Sequence, residues 1–235
     1  MIPRTPAQAL ADAVSALVHE QHVTDILARL LRDCAATVSA DAIGLMVVTP
    51  GGDLELLTST SHRVKELELF QIQQDLGPCV DAISNAETVG VWDDDALRER
   101  WTDVGSAIVE AGYHAVHAFP LRWQQQVVGG LNVFWTKPGP RDRQDAELCQ
   151  AFADVATLAI VHSVRPSADD VGERVHLALE GRHVIEQAKG LVAYQQDLPM
   201  SDAYDWLVTT AAKDGGDLTA TAAGILRQAH QHEPG

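Results

Sequence analysis

Apolar residues recur early in the chain at the three- and four-residue spacing of a helix: Leu10, Val14 and Leu17, then Ile26, Leu30 and Leu31. The spacing predicts helix from about Ala7 to Val38. The period then changes. Ala42–Thr49 (AIGLMVVT) and Leu54–Thr60 (LELLTST) read as strands, and Pro50-Gly51-Gly52-Asp53 between them is a hairpin signal. Leu67–Gln73 reads as a short helix, Glu87–Trp92 as a short strand and Trp101–Ala111 as helix. His114–Arg122 and Val127–Thr136 supply two more strands, and residues 141–163 a long helix. Helix, hairpin, helical crossover, two strands and helix make an α+β domain with a mostly antiparallel sheet.

The pattern breaks at Arg165-Pro166-Ser167-Ala168-Asp169-Asp170, where Pro166 cannot continue the preceding helix and Ser167 or Asp169 suits a new N-cap. Downstream everything is helical, which divides the chain into domains 1–164 and 165–235. The second domain reads as an all-α bundle of three helices. Its first helix covers about Ser167–Gln196, its second is capped by Ser201, and its third presents Leu218, Ala222, Ile225 and Leu226 inward. Small inward residues let these helices approach closely, with Tyr204 and Trp206 as the large pieces. The first helix is apolar on two faces. Val171, Val175, Ala178, Ile185 and Val192 form one, interrupted by Arg182 and Lys189, and Leu177, Val184, Ala188 and Leu191 form the other. Two faces imply two packing partners. One is the bundle itself; the other is the same helix of a second copy, giving a homodimer, or the upstream domain.

Charge narrows the partners. The 235 residues carry 17 Lys and Arg against 33 Asp and Glu, a net −16, which repels nucleic acid at long range but leaves room for a local basic patch. The 33 alanines agree with tightly packed helix. No apolar run approaches the length of a membrane span, and no basic segment leads into an apolar one near Met1, so a cytoplasmic protein is expected. Cys34, Cys79 and Cys149 form no CxxC pair, which fits neither a disulfide framework nor a zinc ribbon.

Two stretches carry resemblances. Leu76-Gly77-Pro78-Cys79-Val80-Asp81-Ala82 leads into Ile83 and Val89, and Phe119-Pro120-Leu121 and Gly129-Gly130-Leu131 follow. Their order and spacing resemble a GAF domain over roughly residues 20–163. That resemblance implies a sensor module taking a small molecule, a chromophore or a partner protein. Its cyclic-nucleotide signature is missing, because Asn132 is followed by Val133 rather than Lys. Arg182-His183-Val184-Ile185-Glu186-Gln187-Ala188-Lys189-Gly190-Leu191 resembles the opening helix of an ANTAR domain. The similarity runs on through Ser201-Asp202-Ala203-Tyr204, Leu207, Ala211, Leu218 and Ala222, over about residues 174–228. It implies an RNA-binding module of transcription antiterminators, acting as a dimer on paired hairpins in a transcript leader. Gly215 stands where that family usually has Asn, and Thr219 where a basic or polar residue is common; both positions lie near the surface expected to meet RNA.

The residues give this motif a job of their own. On a helix Arg182 and Lys189 share a face about 10 Å apart, a spacing that suits two phosphates or a phosphate and a base edge, and Gln187 adds amide readout from the adjacent face. The plainer alternative is a solvated basic pair with partners such as Glu186. Cys79, following Gly77-Pro78 at a helix start, is a candidate oxidant sensor of lowered pKa or a space-filler beneath a loop. His117 is a candidate pocket residue, touching a ligand or haem. His19 and His22 are three apart but have no third ligand nearby, so no metal is assigned, and the residues name no cofactor. Cys34 and Cys149 read as core, and Asp93-Asp94-Asp95 as a solvated cap. No P-loop, GxSxG, HExxH or triad is present, so an enzyme is not expected.

The expected protein is a dimeric, signal-responsive regulator that binds an RNA hairpin to promote antitermination. Its rivals are a protein-interaction regulator that has lost RNA binding and a DNA-binding regulator, against which the scarcity of bases in the third helix speaks. From Arg165 to Gly235 there are six Lys and Arg against eleven Asp and Glu, a net −5. Few counterions are available for release, so affinity must come from structured contacts with loop bases. RNA affinity is therefore expected to fall only shallowly with added salt in a direct titration, and a steep fall would contradict this.

Overall fold

A computed structural model of the chain describes residues 5–18, 22–161, 168–213 and 216–231. The single long N-terminal helix expected from periodicity is two, α1 (Pro6–Val18) and α2 (Val23–Thr37). The predicted hairpin follows as β1 (Ala42–Val48) and β2 (Leu54–Ser59). Next comes α3 (His62–Gln74), which begins earlier than its apolar residues suggest because Ser61 caps it, accepting from the Val64 N–H at 3.2 Å. The crossover continues through α4 (Pro78–Asn85), β3 (Val89–Val91), α5 (Asp94–Arg100) and α6 (Thr102–Glu110). Asp93 caps α5, accepting from the Ala96 N–H at 2.8 Å. The strands β4 (Ala115–Trp123) and β5 (Gln126–Trp135) and the helix α7 (Arg143–Val161) complete this part.

The five strands pair antiparallel throughout in the order β2-β1-β5-β4-β3, which puts β5 at the centre. Residues 128–135 of β5 are buried without a break, as a strand covered on both faces must be. Alternation along β4 sorts the two layers. Ala115, Phe119 and Leu121 join Leu27, Leu31 and Phe152 under α1, α2 and α7, whereas Val116 and Ala118 join Val64, Val104 and Ile108 under α3 to α6.

The C-terminal helices are α8 (Ala168–Gln196), α9 (Met200–Lys213) and α10 (Leu218–Gln231). Ile185, Ala188 and Val192 of α8 close on Ala203, Leu207, Ala211, Leu218 and Ala222. Six of the eight are Ala, Val or Ile, and alanine at 188, 203, 211 and 222 lets the axes come close. Tyr204 packs on this core as expected. Trp206 does not: it is 38% exposed on the outer side of α9, although it immediately precedes buried Leu207.

Helix α8 serves two cores. Its first half contributes Val175, Ala178 and Leu179 to the layer under α7, and its second half belongs to the three-helix bundle. The upstream domain is thus a packing partner of its first apolar seam. Leu177, expected on the second seam, is 52% exposed. Among the described residues no helix is long and apolar enough to cross a membrane.

Close strand packing makes one position unforgiving. A Cβ on Gly129 in β5 would overlap the backbone carbonyl oxygen of Met46 in β1. Gly129→Ala is expected to lower stability by about 1–3 kcal/mol, read as a fall in the urea unfolding midpoint at unchanged m-value.

Candidate nucleic-acid interface

The seven-residue spacing does put Arg182 and Lys189 on one face of α8, and that face is turned toward the upstream domain. Both line a cleft whose far wall is built by Thr24 of α2, Leu57 of β2 and Lys65 of α3. Arg182 is half-buried there, and Lys189 is only 2% exposed. The Lys189 ammonium donates to Glu186 Oε1 at 2.9 Å, and Glu186 also takes the ammonium of Lys65 from α3. Burial pulls the Lys189 pKa below its usual value, with Glu186 opposing and Lys65 assisting. Burial alone would raise the Glu186 carboxyl, but hydrogen bonds from Lys189 and Lys65 outweigh it and hold it low. Gln187 faces solvent. The structure therefore joins two of the three candidates in one cleft and leaves the third outside it. The expectation of a dimer axis along the Arg182–Lys189 seam meets a covered surface, because the sensor-side packing occupies it within one chain.

Two features let α8 and α10 come this close. At the α2–α8 crossing the Thr24 hydroxyl donates to the Ala178 carbonyl at 3.5 Å, and a Cβ on Gly181 would overlap the Thr24 hydroxyl oxygen. At the start of α10, Thr219 donates its N–H to Asp25 Oδ1 at 3.0 Å and its hydroxyl to the same oxygen at 3.4 Å. Thr219 thus faces α2. Gly215, the other departure from the family pattern, and His19 lie outside the described residues. Sequence reasoning missed Lys65, Asp25 and Asp217 here. Asp25 carries only a first-turn signal and Asp217 only an N-cap signal, and neither shows that the two come together.

The candidate sensor residues sit on opposite faces of the sheet. Cys79 is fully buried at the start of α4, where its N–H donates to Gln71 Oε1 at 3.2 Å. Burial, and then the nearby Glu68 carboxyl, push its thiol well above the usual range. The lowered pKa expected from the helix start is thus reversed, because desolvation outweighs the helix dipole. His117 lies in the α7 layer between Trp92, edge-on at 5.0 Å, and Phe119 at 4.1 Å. Burial holds it neutral, with its pKa lowered to about 4, and its Nδ1 has no partner among the described residues.

Beside Cys79 lies a polar group that no sequence signal marked. Asn132 donates from Nδ2 to both oxygens of Glu68, at 2.8 and 2.9 Å, and Gln71 donates to Glu68 Oε2 at 2.9 Å. All three side chains are buried, and burial pushes Glu68 up to about 8 against the pull of Asn132. Gly44 makes room, since a Cβ there would overlap Glu68 Oε1. Cys34 and Cys149 are buried, as expected of core residues. Among the described residues no cluster of three His, Cys, Asp or Glu is placed to hold a metal.

A family model described as GAF domain matches residues 20–161, and one described as ANTAR domain matches residues 173–226. Among solved structures, the GAF domain of an Acinetobacter phosphoenolpyruvate-protein phosphotransferase superposes with a TM-score of 0.52 at 12% identity, over 68% of this chain and 97% of its own. The phycoerythrobilin-bound GAF domain of a cyanobacterial phytochrome gives 0.50 at 13% identity, over 66% and 93%. The reduced form of fRMsr of Staphylococcus aureus gives 0.50 at 15% identity, over 66% and 94%. At these identities the likeness is one of fold. No curated protein matches the chain.

The buried carboxyl yields a pH signature. Its pKa in the folded chain lies above the unfolded value, so the folded state holds the proton more tightly and stability drains away as pH rises between about 4.5 and about 8. Glu68→Gln removes that loss. In urea unfolding it is expected to gain roughly 2–4 kcal/mol on the wild type between pH 5.5 and pH 8.5; equal pH slopes would show that Glu68 is not the group responsible.

Proposed function

The chain belongs to the GAF domain family and carries an ANTAR domain at its C-terminal end, and from that premise we propose a regulator that binds an RNA hairpin through α8 and promotes transcription antitermination under control of the GAF domain. The output in this reading is a binding event made by the ANTAR domain. Arg182 and Lys189 are the phosphate or base-edge contacts and Gln187 the amide reader. The protein acts in the cytoplasm as a homodimer on a hairpin in a transcript leader, and a small molecule on the GAF domain is the signal. Cys79 and His117 are the sensor-side candidates, Cys79 beside the Glu68–Asn132 group and His117 on the opposite face.

One observation supports control above all: the α8 face bearing Arg182 and Lys189 packs against α2, β2 and α3, with Glu186 shared between Lys189 and the sensor residue Lys65. RNA and the sensor compete for that face. An effector releases it only by binding the undocked arrangement better than the docked one, since equal affinity shifts nothing. The net −5 of the C-terminal segment and the engagement of Thr219 by Asp25 favour a second reading, in which the same face meets a protein.

Fluorescence anisotropy of the full chain on a two-hairpin leader RNA tests both. Lys65→Ala removes a sensor contact and is expected to tighten binding several-fold, whereas Arg182→Ala and Gln187→Ala weaken it by about tenfold or more, in line with ~1–3 kcal/mol for a lost base or phosphate contact. Binding absent in wild type and Lys65→Ala alike would discard the RNA reading in favour of the protein-interaction one.

A further inference from the structure

Where α2 meets the start of α10, each domain supplies a carboxyl to the same spot. Asp217 caps α10: its Oδ1 accepts the Ala220 N–H at 2.7 Å, and its carbonyl accepts the Thr221 hydroxyl at 2.8 Å. Asp25 Oδ1 accepts both donors of Thr219, but its Oδ2 is buried with no donor among the described residues. Asp217 stands two residues before Thr219 at the same helix start, so the hydrogen bond from Thr219 to Asp25 sets the two carboxyls side by side, and each acts on the other's titration. Two carboxylates only repel there; a carboxyl and a carboxylate sharing one proton satisfy each other.

The surrounding charges do not supply that proton's role. On α2, His22 Nε2 lies 3.8 Å from Asp217 Oδ2, and Arg29 and Arg32 line the cavity of about 170 Å³ beside Asp25. From α9, Tyr204 is near enough to Asp25 for the two to interact electrostatically. What favours an ionised Asp25 is the pair of backbone N–H groups of Leu218 and Thr219. Burial outweighs them, and the Asp217 carboxyl adds to it, so Asp25 is pushed up to about 7. Asp217, despite its own desolvation, is held low by Asp25, the Ala220 N–H and His22.

We infer that Asp25 and Asp217 form a proton-operated latch between the GAF and ANTAR domains, closed while they share one proton and loosened when both are ionised. The inference rests on the reading that α8 carries the RNA surface, and it names an input that opens that surface. The docked state binds the Asp25 proton more tightly than the undocked state does. Docking therefore weakens as pH rises from the ordinary carboxylate range to about 7, and changes no further above it. The shift of Asp217 acts below that window and does not offset it.

The test reads docking without RNA. Spin labels at Arg98 and Gln195, both exposed, report the sensor-to-bundle distance in the full chain between pH 5.5 and pH 8, and hairpin binding is measured in parallel. In the wild type a longer-distance population is expected to grow with pH, and RNA affinity to rise by roughly thirtyfold, the change produced by losing one proton over the ~1.5 pH units between pH 5.5 and about 7. Asp25→Asn and Asp217→Asn each supply a permanent donor, and Asn at 217 still caps α10. Both are expected to stay short and bind RNA weakly throughout, while His22→Gln keeps the wild-type response. A pH-independent wild type, an Asp25→Asn chain that still opens, or loss of the response in His22→Gln would each overturn the latch. Opening with no gain in RNA affinity would uphold the latch and overturn the RNA reading.

Discussion

The arrangement depends on the burial of one helix in two places. Helix α8 gives Val175, Ala178 and Leu179 to the sensor core and Ile185, Ala188 and Val192 to the bundle, with a single turn and a half between the two sets. A rigid helix buried at both ends transmits orientation, because it cannot rotate in one core without moving in the other. The face that carries Arg182, Glu186 and Lys189, beginning between the two sets and running alongside the second, is thereby held against α2, β2 and α3.

What fills that face differs from what surrounds it. The two flanking cores are apolar and closely packed, whereas the seam between them holds Lys65, Glu186, Lys189, Asp25 and Asp217. Buried ion pairs return little net free energy once desolvation is counted. A contact made of such pairs is weak for its area and responds to charge, which suits a surface that has to be uncovered. Gly181 and Thr24 set how closely it can shut.

The sensor core follows the same division. Apolar side chains fill the α7 layer, in which His117 sits neutral among aromatic rings, whereas the α3 layer encloses Glu68, Gln71 and Asn132 in mutual hydrogen bonds. Cys79 takes its character from that second layer. A thiol placed at a helix start would be activated in water; here the absence of water reverses the effect.

Much of the architecture was legible in order along the chain. The strands at 42–48 and 54–59, the central run of β5 and the three C-terminal helices follow from periods of two and three to four, and from Gly and Pro at the turns. So did the shared face of Arg182 and Lys189, which is a matter of helical geometry. What that face touches was not legible, because a helix with two apolar faces states how many partners it needs but not which. Trp206 and Leu177 were read inward from their chemistry and stand outward, since a stripe's edge is set by the neighbour's shape. Glu68 with Asn132, and Asp25 with Asp217, are separated by 64 residues and by far more along the chain. Local pattern carries no information about such pairs; only the folded chain, by bringing their elements together and excluding water, makes them sites. Sequence determined the elements and the chemistry each one bears, and tertiary structure decided which of those groups meet, because desolvation and contact are properties of neighbours distant along the chain.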